Sequence, residues 1–139
     1  MSKRIAYIIL GSEERKRYIC VDALENEKIM KFINDKEARK KKFRYIIDLI
    51  LQNIKNPDLY DKEDITDSIN DVYAMKLFKG GENIRIYCKQ VSRSDGTFYV
   101  IASELLEKKK SEKNNAKSKS LIIKVHNYEY EIQKYPGEE

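Results

Sequence analysis

Arginine, tyrosine and lysine alternate with apolar residues at Arg85, Tyr87 and Lys89, and a lysine triplet follows at Lys108, Lys109 and Lys110. Successive side chains of a strand point to opposite faces. A strand through this stretch therefore sets Ile84, Ile86 and Cys88 on one side and Arg85, Tyr87 and Lys89 on the other. A cationic, aromatic row extended by three lysines has the composition of a phosphate-binding surface. The competing reading is a solubilising face whose lysines guard a strand edge.

Turn chemistry sets this row in a meander. Lys79-Gly80-Gly81-Glu82 and Ser92-Arg93-Ser94-Asp95-Gly96 divide the stretch from Val72 to Lys110 into three strand-like runs, because glycine supplies positive φ and Asp or Ser bonds back to the local backbone. Upstream, Arg4 to Leu10 and Lys16 to Val21 read as strands around a Gly11-Ser12-Glu13-Glu14 turn, an N-terminal hairpin. A short helix starting at Glu25 or Asn26 carries Ile29, Phe32 and Ile33, and Asp35 is the expected N-cap of a second helix, Lys36 to Asn56. Phe43, Ile46, Ile47, Ile50, Leu51 and Ile54 recur there at spacings of three and four, an amphipathic core face that Pro57 terminates. Leu121, Ile122, Val125 and Tyr128 or Glu129 return at helical spacing and predict a C-terminal helix from Ala116 to about Lys134, with the β-branched run Ile122, Ile123, Val125 leaving a strand open. The expected fold is α+β: an antiparallel β-sheet of the three-stranded meander plus an N-terminal strand or hairpin, packed by two N-terminal helices, with a C-terminal helix, in one domain spanning 1–139.

Composition narrows the function classes. A chain of 139 residues with 41% hydrophobic content suits one core. The formal charge of +5 favours polyanionic partners such as nucleic acid. Ile5 to Leu10 is shorter than the apolar region of a signal peptide and far short of a membrane span, so the expectation is a cytoplasmic protein with no membrane partner. Cys20 and Cys88 have no CxxC spacing and only His126 to join them, and read as buried thiols. Arg39-Lys40-Lys41-Lys42 could contact nucleic acid, but reads first as solvated helix surface. Asp58, Asp61, Glu63, Asp64, Asp67 and Asp71 lack DxDxDG spacing and a loop glycine, and read as an acidic linker in preference to a metal site. No GxxxxGKS, GxGxxG, HExxH or GxSxG motif occurs, so neither cofactor nor metal is expected. His126, alone among apolar residues, reads as a satisfied surface or core residue; a catalytic role would require the C-terminal helix to bring it against the Arg85 face.

The order strand, two helices, polar loop, meander, lysines and C-terminal helix resembles the RelE/HigB-type toxins of bacterial toxin–antitoxin systems. The matching positions are Ala74-Met75-Lys76, Ile84-Arg85-Ile86-Tyr87, Val100-Ile101-Ala102, Lys108-Lys109-Lys110 and Ser111-Glu112-Lys113, with Ala116 to Glu131 as the terminal helix. Ala74 and Lys76 stand where that family carries an acid and an arginine, and Ser103-Glu104-Leu105 where it tends to carry a His-Gly-aromatic step. The resemblance implies a toxin that cleaves mRNA engaged on a ribosome and is held by a cognate antitoxin. Its chemistry is metal-independent transesterification, in which the RNA 2′-hydroxyl attacks the adjacent phosphate. Arg85, Tyr87, Lys108 and Lys109 are then the catalytic candidates: Arg85 clamps phosphate, Tyr87 stacks on a base or steadies the attacking oxygen, and like-charged lysines depress one another's pKa toward that of a base. Lys76, Lys79, Lys89 and Lys110 are the implied RNA contacts. The alternative is a non-catalytic protein of the same fold that binds nucleic acid or a protein partner through its basic face.

Overall fold

The computed structural model describes residues 3–63, 66, 68–77, 83–108 and 116–137. The chain opens with strands β1 (Arg4–Ser12) and β2 (Arg17–Asp22), paired antiparallel with a bulge between Ile8 and Leu10. Their turn is Glu13 to Lys16, with Lys16 at φ 55°. Gly11 belongs to β1 instead: a Cβ there would lie 2.2 Å from Cδ1 of Tyr18, so glycine is required by the close approach of that ring.

Helices α1 (Asn26–Asn34) and α2 (Glu37–Leu51) follow. Asp35 is the C-cap of α1, and extended Lys36 is the N-cap of α2 with no side-chain cap bond, which corrects the capping expected of Asp35. α2 also stops before Asn56. Asn53 adopts φ 58°, its N–H bonds the Ile50 carbonyl, and the Ile54 N–H bonds the Leu49 carbonyl. That is a left-handed helix cap of the Schellman type, which asparagine tolerates nearly as well as glycine. Ile54 is thereby turned out, half exposed, from the stripe it was assigned to.

Strands β3 (Tyr60–Lys62), β4 (Val72–Lys76), β5 (Asn83–Ser92) and β6 (Phe98–Lys108) come next, then α3 (Ala116–Asn127) and β7 (Tyr130–Lys134). They form a seven-stranded sheet in the order β3-β4-β5-β6-β2-β1-β7. This overturns the expected antiparallel sheet. Two pairings are parallel, β2 with β6 and β1 with β7, and the sheet extends well beyond a meander and an N-terminal hairpin. The expected helix to Lys134 ends at Asn127, because Tyr130 and Ile132 alternate along a strand edge beside β1.

Both faces of the sheet are covered. On one, Ile29 and Ile33 of α1 and Phe43, Ile46, Ile47 and Ile50 of α2 pack on Ile19, Val21, Met75, Ile84, Ile86 and Cys88. On the other, Ile122 and Val125 of α3 pack on Val72, Ala74, Tyr87 and Leu106. Each fully buried isoleucine contributes about 1.5–3 kcal/mol of transfer free energy. At the β7 side a buried polar knot joins four strands. Fully buried Asp22 accepts from Arg4 Nε at 2.7 Å and from the Tyr130 hydroxyl at 2.6 Å, and that hydroxyl lies 2.8 Å from Ser103 Oγ. Burial and the Asp22 bond both push the Tyr130 phenol up, so it stays protonated and holds the knot. Among the described residues no helix is long and apolar enough to cross a membrane.

Candidate nucleic-acid interface

Strand register brings cations to one end of the sheet. β4 and β5 pair with Lys76 directly opposite Arg85, and β6 brings the Lys108 backbone opposite Asn83, two residues further along β5. Lys42 reaches the same end from α2, so that Lys42, Lys76 and Arg85 line an open cleft of about 440 Å³ together with Asp58 and Leu59. The cations are held but not neutralised alike. Lys76 Nζ donates to the Pro57 carbonyl at 3.1 Å, a contact that positions the ammonium without cancelling its charge. Arg85 Nη1 donates to buried Glu63 Oε1 at 2.6 Å, and a fifth of the Arg85 side chain remains exposed.

The rest of the expected row has other surroundings. Tyr87 is fully buried beneath α3 with its hydroxyl directed at Ser118, and burial pushes its phenol up. No base can stack on it while α3 is seated. Lys89 Nζ lies 3.2 Å from Asp71 and donates to the His126 carbonyl at 2.6 Å, so it anchors the C-terminal end of α3, where the helix dipole favours a cation. Alternation thus separates two faces correctly in β5, but both are packed. The Lys108 side chain, and Lys79, Lys109 and Lys110 altogether, lie outside the described residues.

His126 sits at the far end of the row. Its Nδ1 is 2.7 Å from Asp71 Oδ1, and Asp71 precedes β4 while Lys76 ends it, a separation of roughly 16 Å along an extended strand. Burial pushes the Asp71 carboxyl up, but the His126 and Lys89 contacts outweigh it and hold the group below the usual carboxylate range. The acidic stretch is therefore used pairwise: Glu63 against Arg85, Asp71 against Lys89 and His126. Asp64 and Asp67 lie outside the described residues. Among the described residues no three His, Cys, Asp or Glu side chains converge on a common point for a metal. Cys20 and Cys88 are buried free thiols; burial pushes Cys20 up to about 12 and Cys88 higher still, which leaves neither as a nucleophile near neutral pH.

A second concavity escaped sequence reasoning. It lies between the end of α2 and the β3–β4 edge, and its aromatic residues Tyr60, Tyr73 and Phe98 are too scattered along the chain to form a spacing pattern. Tyr60 and Tyr73 stack at 5.1 Å between centroids and 24° between planes.

No family model, no curated protein and no solved structure matches this chain.

Proposed function

We propose that this chain is the toxin of a toxin–antitoxin pair and acts on RNA, holding the backbone of a single strand at the Lys76–Arg85 end of the sheet. The observation that carries the reading is the cross-strand pairing of Lys76 with Arg85 beside Lys42 in one open cleft. Phosphate recognition needs a fork of guanidinium donors and neighbouring point charges, and that cleft offers both. Lys108 arrives on the adjoining strand, and the net charge of +5 draws a polyanion toward the surface.

In this reading the strand is cut by attack of a ribose 2′-hydroxyl on the adjacent phosphate, giving a cyclic phosphate and a free 5′-hydroxyl. Arg85 stabilises the charge that builds on phosphorus, and Lys108 and Lys109 supply the proton transfers. Tyr87 has no part while α3 covers it. The protein works in the cytoplasm on ribosome-engaged mRNA, with an antitoxin as its regulatory partner. Primer extension on ribosome-bound mRNA tests this: wild type yields new 5′ ends, and Arg85→Ala reduces their rate by ~10²–10³. Unchanged cleavage by Arg85→Ala contradicts the assignment.

A second reading is binding without cleavage through the same cleft. The burial of Tyr87 and the engagement of Lys89 favour it, since both belong to the packing of α3. Tight RNA binding with no new 5′ ends, and no growth arrest on expression, would select it.

A further inference from the structure

We infer that the cavity between the end of α2 and the β3–β4 edge seats a nucleobase; this deepens the reading above and rests on it. The cavity encloses about 370 Å³, in the range of small-molecule sites. Three aromatic residues stand in its lining, the stacked Tyr60 and Tyr73 and, with the Arg17 guanidinium 4.4 Å from its ring centroid, Phe98. Aromatic rings of this kind accept any base by its π-face. Polar groups stand beside the rings. Gln90 Nε2 donates to the Tyr60 hydroxyl at 2.8 Å, and both side chains line the cavity. The exposed Asn53 also lines the cavity. Amides and a phenol complement the in-plane donors and acceptors of a base better than they complement an aliphatic ligand.

Continuity with the cationic cleft identifies the occupant. Asp58 and Leu59 line the cleft, while Pro57, Tyr60 and Asp61 from the same segment line the cavity. Tyr73 and Lys76 lie three residues apart on one strand, roughly 10 Å, and so on its opposite faces; the two sites connect round the sheet edge, where Lys76 Nζ reaches the Pro57 carbonyl. A strand whose phosphates meet Lys76 and Arg85 can turn a neighbouring base into the cavity. The same chemistry belongs to a base on RNA and to one on a free nucleotide.

Fluorescence anisotropy with the full chain separates these. A labelled single-stranded RNA is compared with the same backbone carrying abasic ribose positions, for wild type, Tyr73→Leu and Lys76→Ala. Wild type should bind the intact strand roughly tenfold more tightly than the abasic one. Tyr73→Leu should lose that preference, whereas Lys76→Ala should weaken both strands alike. Equal binding of both strands by wild type, with Tyr73→Leu unchanged, overturns the inference and leaves the RNA reading standing. If no RNA binds but free nucleoside monophosphates shift the Tyr60 and Tyr73 ring resonances, the cavity is a free-nucleotide site and the RNA reading falls. Absence of both responses overturns both. Should Tyr73→Leu not fold, ring shifts in wild type with intact but not abasic RNA give the same decision.

Discussion

Under the proposed RNA reading, Glu63 sets how much of Arg85 is left for a phosphate. Its carboxylate takes one arm of the guanidinium in a mostly buried pair, and an incoming phosphate must share or displace it. Glu63→Gln should tighten RNA binding severalfold while costing about 1–3 kcal/mol in folding stability, because Gln Oε1 still accepts from Arg85 but the buried guanidinium loses its counter-charge as a repulsive acid leaves the phosphate path. Anisotropy and urea denaturation on one preparation check both; unchanged or weaker RNA affinity would make the Arg85–Glu63 pair purely structural. Asp71 carries a pH signature. Its folded pKa is depressed, so its contribution is present above the unfolded value near ~4 and is lost as pH falls through the lower folded value. Stability of wild type should therefore decline below about pH 4 with a component that Asp71→Asn removes, read from urea midpoints across that range.

At the scale of elements, the α2 stripe was legible because its isoleucines keep helical spacing, and its end was not. The stop signal is Asn53, a residue whose left-handed conformation is a weak preference in sequence but a fixed requirement once the Ile50 and Leu49 carbonyls need capping. Asn53→Gly should be tolerated and Asn53→Ala should cost about 1 kcal/mol, since a Cβ without a polar side chain strains that conformation. Within the helix, Ile47→Ala should cost about 2–5 kcal/mol, as the side chain is fully buried among the α1, α2 and sheet residues. Calorimetric or urea unfolding of each variant measures these differences. Gly11 has the sequence signature of a turn residue, yet the contact that demands it comes from Tyr18 across the hairpin, which residue order alone does not reveal.

At the scale of the whole molecule, the sheet could not be read from local pattern. β2 joins β6 and β1 joins β7 across most of the chain, and parallel pairs leave no turn signature between them. The candidate site was half legible for the same reason. Period-two alternation separated Arg85, Tyr87 and Lys89 from the apolar face of β5, but it says nothing of what covers each face, and α3 takes Tyr87 and Lys89 for itself. What remains open is the sheet end where Lys76 and Arg85 meet Lys42. The proposed RNA site at this end has a direct measure in the salt dependence of RNA affinity. With three phosphates neutralised, log K should fall linearly against log salt with a slope of about −2, and the Lys42→Ala, Lys76→Ala, Arg85→Ala triple variant should flatten it. A flat slope in wild type, or the same slope in the folded triple variant, would contradict an RNA site at this end of the sheet.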